Sequence, residues 1–490
     1  MRMIQVQEGV PETIERPHAV LPLVVDLDGT LVRTDTLAES LIGALQRDPL
    51  GAIGAIAAVR HGRQVMKHRL AAIAPPNLAA LPYRADLLAS LHRRHAAGEE
   101  MHLVTAADQA IADAVAGGLD LFASARGSDL TANNKGLAKA RYLADRFPQG
   151  FYYAGDSRAD LPVWQASRGA ILVGPAVALR AEVEAAGTRV LDSYADPPTT
   201  IATWARALRL HQWLKNLLLL VPLALSHSIG QPMAVAKALA GFLLFGMVAS
   251  ATYVFNDLTD LHADRLHPGK RSRPLASGAI PIARAAAVGL GLFVLGLAGS
   301  FALAIPFALA ICLYVALTVS YSLVLKRKML LDVAVIGMLF ALRLVMGTYA
   351  IDVAFSTWLL SFSILFFCAL AFAKRNTELV RLPQNDRTIL PNRGYRAADW
   401  PLTLAFGVSM SVAALIVMLL YIRLEAVQSG LYTRPMWLIA APLCTMIWVM
   451  RIWARSHRGE LDDDPVMFAM KDPTSWVLAV VVGLALLAAI

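Results

Sequence analysis

Polar and apolar positions divide the chain near residue 210. Beyond it, nine apolar stretches run at roughly 214–229, 234–255, 283–302, 303–324, 331–351, 356–374, 402–422, 436–453 and 475–490. A helix crosses a bilayer with about 20 apolar residues, so this pattern predicts nine transmembrane helices, several with short ends. The run at 283–324 has no polar break, and Pro306 marks the turn inside it. Before residue 200 the apolar runs are short and separated by polar segments. AVLPLVVDLDGTL at 19–31 is β-branched and broken by Gly29, the pattern of a buried parallel strand entering a turn. MHLVTAAD (101–108) and FYYAGDSRADLP (151–162) repeat that strand-then-polar form, while 32–100 shows helical periodicity.

These patterns define domains. Residues 1–18 form a leader, predicted to be disordered and lacking the apolar core of a signal peptide. Residues 19–195 form an α/β domain with a helical cap over about 32–100. YADPPTTIATW opens a linker and interface helix at 196–213, where Trp204, Arg206, Arg209 and Trp213 suit the headgroup zone. Residues 214–490 form an all-α membrane domain.

Composition agrees: 57% of residues are hydrophobic and 17% charged, which excludes both an ordinary soluble protein and a disordered one. The net charge of +9 raises nucleic acid as a partner, but the loops answer it. With a cytoplasmic N-terminus, eighteen basic residues fall on inside loops, against Arg423 and Arg434 outside. That asymmetry orients a multi-pass protein of a bacterial-type inner membrane, its N-terminal domain cytoplasmic, and leaves no need for nucleic acid. Cys312, Cys368 and Cys444 lie in apolar stretches without CxxC spacing, so each is expected to be a small buried hydrophobe.

The membrane half carries its chemistry between the second and third stretches. Asn256, Asp257, Asp260 and Asp264 form an NDxxDxxxD array, and on a continuous helix the 257/260/264 spacing stacks three carboxylates on one face. Such charge calls for cations, and Mg²⁺ bridging carboxylates to a substrate phosphate meets that need. Lys270, Arg271 and Arg273 follow, placed to neutralise further phosphate oxygens. The array with RPLASG, and YSLVLKR with Tyr321, Lys326 and Arg327 ahead of Asp332, resembles the UbiA superfamily of intramembrane transferases over roughly 205–490. The resemblance implies nine helices around a cavity open to the cytoplasm and to lipid, with Asp-rich loops holding Mg²⁺ and a diphosphate. The family's aromatic prenyltransferases carry a second Asp-rich loop, where this chain has FAKRNTELVR with Lys374, Arg375 and Glu378. That departure, with HQWLKN at 211–216 and the acidic GELDDDP at 459–465, is similar to the polyprenyl-phosphate phosphoribosyltransferase branch. Lys215, Lys270, Arg271, Arg273, Lys326, Arg327, Lys374 and Arg375 are then the cations that bring two polyanions together. Arg343, inside a stretch, is either functional or half of a structural pair, and Glu460 to Asp464 read as a solvated loop.

In the soluble half, Asp26 and Asp28 leave the end of the first strand in DLDGT, where open α/β sheets place their sites. With Thr105, Lys135 in NNKG (133–136), Asp156 and Asp160 in order along the chain, residues 19–195 resemble the haloacid dehalogenase-like hydrolases. The resemblance implies a Rossmann-like fold. It makes Asp26 the nucleophile and Asp28 the general acid/base, with Mg²⁺ held by Asp26, Asp156 and the Asp28 carbonyl. Thr105 and Lys135 would bind the phosphoryl group, Lys135 being preferred over Lys139 for its NKG context.

The expectation is a bifunctional enzyme. One half transfers 5-phosphoribose from phosphoribosyl pyrophosphate to a polyprenyl phosphate, and the other removes the 5-phosphate. The alternative is a prenyltransferase using a prenyl diphosphate and an aromatic or other acceptor, with a separate or regulatory phosphatase domain.

Overall fold

The computed structural model describes residues 21–383, 388–390, 393–428, 432–461 and 465–490. Its chain forms two compact units: residues up to Ala207 together with Asp257–Ala286, and Leu208–Asn256 together with Ala287–Ile490. The predicted leader at 1–18 and Asp462 to Asp464 lie outside the described residues.

The first unit is built on six strands: β1 (Leu23–Val25), β2 (Met101–Asp108), β3 (Ser124–Ser128), β4 (Tyr152–Gly155), β5 (Gly169–Val173) and β6 (Val190–Tyr194). They pair in the order β3-β2-β1-β4-β5-β6, every pairing parallel. Side chains alternate across a strand, so neighbours serve opposite cores. Leu23 and Val25 join Leu103, Ile111 and Leu87 on one face, and Val24 joins Tyr153, Leu172 and Trp164 on the other. Because the chain leaves β1 first toward β2 and β3 and then returns to its other side, the β1/β4 boundary is the topological switch point. Ligands in open parallel sheets bind there, beyond the carboxyl ends of the strands.

Helices Thr36–Arg47, Pro49–Ala57 and Arg63–Ile73 share a small core of their own, with Ala44, Ala52, Ala55 and Leu70. The predicted cap region ran further, to about 100, but helix Ala85–Ala96 buries Leu87 and Leu91 in the sheet core instead. Segment 257–286 packs with this unit, although in sequence it joins two apolar helices.

The second unit is helical. Among the described residues, seven helices are long and apolar enough to cross a membrane: Pro232–Thr259, Ile282–Leu303, Ile305–Leu323, Leu331–Ile351, Thr357–Val380, Ala397–Ala426 and Pro435–His457. The predicted first and ninth stretches are also helical, but at Leu210–Leu225 and Pro473–Ala489 they are shorter. The first owes its form to 3₁₀ winding over Leu210–Leu220. Phe340, Phe367, Phe372 and Trp453 share one core, and Phe245, Phe307 and Tyr314 another. Polar side chains add interhelical bonds: Asn376 donates to Ser456 Oγ at 3.0 Å and Trp453 Nε1 to Ser411 Oγ at 3.0 Å. Cys368 and Cys444 are buried as expected, but Cys312 is exposed, lying on the outward face of Ile305–Leu323.

Candidate functional sites

The end of β1 carries Asp26, and its neighbours gather around it. Leu27 N donates to Asp26 Oδ1 at 2.8 Å. Lys139 Nζ lies 3.1 Å from Asp26 Oδ2 and donates to Tyr153 Oη at 2.9 Å. Tyr153 in turn donates to Asp160 Oδ1 at 2.9 Å. Asp160 Oδ2 accepts from Ser157 N and Oγ at 3.2 and 3.1 Å, which fixes the turn that carries Asp156. Asp26, Asp156 and Asp160 each place a carboxylate oxygen within 4.8 Å of the others. Asp28 accepts from Thr36 N at 2.8 Å, tying it to the first turn of helix Thr36–Arg47.

Glycine is required inside the DLDGT turn. Gly29 has φ +74°, and a Cβ there would sit 2.1 Å from Asp156 Oδ2. Arg84, buried and ion-paired to Asp196 through Nη2 at 2.9 Å, donates from the same nitrogen to the Gly29 carbonyl at 2.8 Å.

The electrostatics are those of crowded, buried carboxylates. Burial, then the charges of Asp26 and Asp160, push Asp156 up to about 8. Burial and the charge of Asp35 push Asp28 up to about 7. Asp26 is raised by burial and held back by Lys139. Carboxylates so crowded repel one another, and a hard divalent ion with oxygen ligands offsets that repulsion. These residues therefore fit Mg²⁺, with Asp26 and Asp156 as the carboxylates that would hold it.

A cavity of about 560 Å³ opens on this cluster, lined by Asp26, Asp28, Thr105, Lys135, Lys139 and Asp156 among others. Thr105 is buried, and Asn134 Nδ2 donates to its carbonyl at 3.3 Å, pinning the NNKG loop to β2. The preference for Lys135 meets a different geometry. Lys135 is exposed, whereas Lys139, in the first turn of helix Leu137–Arg146, is buried against Asp26. Sequence reasoning also missed Lys67, on the cap helix Arg63–Ile73. Its Nζ donates to Ala106 O at 2.6 Å and Asn133 Oδ1 at 3.0 Å, and burial lowers its pKa. No local motif marks Lys67 or Arg84, because each acts on residues 39 or 55 positions away.

The Asp-rich array does not ride on one helix. Pro232–Thr259 ends before Asp260, and a short helix, Leu261–Leu266, begins after it. The expected single-face stack of three carboxylates is thereby broken at Asp260. Asp257 and Asp264 are buried, and Arg273 Nη1 bridges them at 3.2 and 2.5 Å. Lys270 lies 3.6 Å from Asp264, and Arg271 is exposed. Asn256 sits in the last turn of Pro232–Thr259.

In the helical unit, Arg375 is ion-paired to fully buried Asp332 through Nη2 at 2.8 Å and contacts Glu378. Tyr395 also donates to Asp332, at 2.6 Å. Arg375, expected to bind substrate, is thus engaged within the helix packing. The guanidinium of Arg343 lies over Phe245, Tyr314 and Phe340 and donates to Asn216 and Leu339. Lys215 stands 5.7 Å from the centre of the Phe340 ring. Tyr321 accepts from Arg393 at 2.5 Å. Lys326 and Lys374 are half-buried, and Arg327 is exposed. Trp213, expected at the membrane surface, packs inward, donating to Ser250 Oγ at 2.9 Å.

A parallel α/β unit with an acidic cavity, joined to helices of which seven among the described residues are of membrane length, defines a multi-pass membrane protein. Residues 217–472 match the UbiA prenyltransferase family, and the chain belongs to that family. Across 94% of this chain and 90% of the other, it is 44% identical to the uncharacterized protein y4nM of Sinorhizobium fredii. Over 58% of the chain it is 32% identical to the nodulation protein NoeC of Azorhizobium caulinodans, covering 91% of that protein. It is 35% identical to the decaprenyl-phosphate phosphoribosyltransferase of Mycobacterium tuberculosis over 37% of this chain and 62% of that one. A solved UbiA homolog from Archaeoglobus fulgidus, bound to GPP and Mg²⁺, aligns with 59% of this chain and 98% of its own at 18% identity and TM-score 0.43.

Proposed function

We propose that the UbiA-family region, residues 217–472, transfers 5-phosphoribose from phosphoribosyl pyrophosphate to a polyprenyl phosphate, and that the α/β domain is a haloacid dehalogenase-like phosphatase acting on the 5-phosphate of the product. Both work with Mg²⁺, at the cytoplasmic face of an inner membrane. The similarity to decaprenyl-phosphate phosphoribosyltransferase carries the first half. In support, FAKRNTELVR carries Lys374, half-buried, and no aspartate where a second carboxylate cluster would serve a prenyl diphosphate. In the transfer, a lipid-phosphate oxygen attacks C1 of the ribose, the C1–O bond to pyrophosphate breaks, and pyrophosphate leaves. The Asp257, Asp260 and Asp264 segment with Lys270 and Arg273 is assigned to that diphosphate.

The Asp26 cluster carries the second half. Asp26, with Lys139 Nζ 3.1 Å from its Oδ2, attacks phosphorus. The ribose 5-oxygen departs with a proton from Asp28, which its pKa of about 7 leaves partly protonated at neutral pH. Asp28 then takes a proton from the water that hydrolyses the aspartyl-phosphate, releasing inorganic phosphate. Thr105 and Lys139 hold the phosphoryl oxygens, with Lys135 at the exposed side. Bound Mg²⁺ would offset charge on the phosphoryl group between Asp26 and Asp156.

A second reading, prenyl transfer from a prenyl diphosphate, is favoured by the family's name alone. Purified protein with Mg²⁺ and a polyprenyl phosphate separates the two. Release of one pyrophosphate per lipid from phosphoribosyl pyrophosphate is expected. Turnover of prenyl diphosphates with an aromatic acceptor, and none of phosphoribosyl pyrophosphate, would replace this reading with the second.

A further inference from the structure

The wall of the Asp26 cavity is not made by the α/β domain alone. Gly278, Pro281, Ile282 and Ala283 line it as well, and they belong to the segment that follows the Asp-rich array. Ile282 is also the first residue of the membrane-length helix Ile282–Leu303. Arg284, exposed in the first turn of that helix, is the kind of basic residue that anchors a span at the headgroup level.

This wall is held in place by buried, specific contacts. Glu39, in the first turn of cap helix Thr36–Arg47, has a fully buried carboxylate that accepts from Arg265 Nη2 at 2.6 Å and from Thr34 Oγ1 at 2.6 Å. His262 Nε2 stands 3.7 Å from its other oxygen. Arg265 Nε donates to the Ala276 carbonyl at 3.0 Å, fixing the turn that leads to Gly278. Gly278 has φ +73°, and a Cβ there would lie 2.4 Å from the Arg33 carbonyl. Thr199 Oγ1 donates to the Ala279 carbonyl at 3.2 Å. Helix Thr36–Arg47, whose Thr36 N holds Asp28, thus also holds this wall through Glu39. A buried charge pair of this kind is costly to break on one side, so the segment is clamped.

A phosphatase for a soluble metabolite has no need of a wall that continues into a membrane helix. A phosphate monoester entering here lies beside the first turn of a span, where the rest of a lipid-borne substrate can remain in the bilayer. We infer that residues 278–283, clamped by the Glu39–Arg265 pair, select a phosphate monoester carried on a membrane-embedded lipid over a soluble one. Glu39 and Arg265 are positioning residues for that wall. The inference rests on the phosphatase reading above and adds the residues that select its lipid-borne substrate.

The test uses full-length protein in lipid vesicles and three probes: synthetic polyprenyl-phosphoryl ribose 5-phosphate, free ribose 5-phosphate and p-nitrophenyl phosphate. Wild type is expected to favour the lipid substrate over ribose 5-phosphate at least tenfold in kcat/KM. Arg265→Met, Glu39→Gln and the cavity-filling Ala283→Trp should each raise KM for the lipid substrate at least tenfold. Their hydrolysis of p-nitrophenyl phosphate should stay within threefold of wild type, with Arg265→Lys restoring part of the preference. Equal use of both ribose substrates by wild type overturns the inference. So do variants that lose all three activities in parallel, or that change none. If wild type hydrolyses no probe, or Asp26→Asn hydrolyses them equally well, the phosphatase reading itself falls and the selection falls with it.

Discussion

Gly29→Ala is the sharpest single perturbation of the acidic cavity. The backbone at Gly29 is left-handed, φ +74°, which costs a residue with a Cβ about 1–2 kcal/mol. The new Cβ would also stand 2.1 Å from Asp156 Oδ2, inside contact distance, so the carboxylate must move by roughly 1 Å, a misplacement worth about 100-fold in rate. Fold and chemistry therefore separate: stability falls by a small increment, whereas phosphate release falls by about two orders of magnitude. Full-length variant and wild type would be compared in detergent, with p-nitrophenyl phosphate and saturating Mg²⁺ for rate and a thermal melt for stability. Loss of about 100-fold in kcat with a melting shift of about 2–8 °C is expected. A rate within threefold of wild type would refute the placement of Asp156 against this turn. A collapse of the melt would refute the claim that the glycine serves the site rather than the fold.

Asp332→Ala removes the acceptor of both Arg375 and Tyr395. It should destabilise the helical unit by about 3–5 kcal/mol, as broken buried pairs do. Adding Arg375→Met should recover part of the loss in a double-mutant melt, and strict additivity would contradict the pairing. In metal-free protein, Asp28 and Asp156 keep protons up to about 7 and about 8 that the unfolded chain releases near 4. The folded state then binds more protons, so its stability should fall as pH rises from about 4 to 8, and Mg²⁺ should restore it. A metal-free melting temperature that climbs over that range would sink the charge-crowding argument.

The local part of this architecture was legible. Strand β1 and the DLDGT turn follow from a β-branched run broken by glycine, and Asp26, Asp28 and Asp156 meet where the parallel order reverses. Seven membrane-length helices among the described residues follow from run length, which is additive along the chain, whereas the first and ninth predicted stretches form shorter helices. What escaped was decided across distance. Lys135 and Lys139 differ by one helical turn, and only the direction of the helix leaving Gly136 puts Lys139 on Asp26. Asp332 and Arg375 are 43 residues apart, and their pairing leaves no periodic trace. Spacing suggested one helix through Asp257, Asp260 and Asp264, but the chain turns at Asp260, and Arg273 takes the place between two of the acids. Nothing in the order of residues announced that the segment after them would line the other cavity.

The central claim is two linked activities on one lipid, and the mass of that lipid tests it most directly. Full-length protein would be incubated with Mg²⁺, labelled phosphoribosyl pyrophosphate and a polyprenyl phosphate, and the extracted lipids weighed by mass spectrometry beside those of Asp26→Asn. The account predicts a ribosyl lipid from wild type and a phosphoribosyl lipid, heavier by one phosphate, from the variant. Label that never enters the lipid would contradict the transferase reading. The same lipid from both proteins would contradict the phosphatase one.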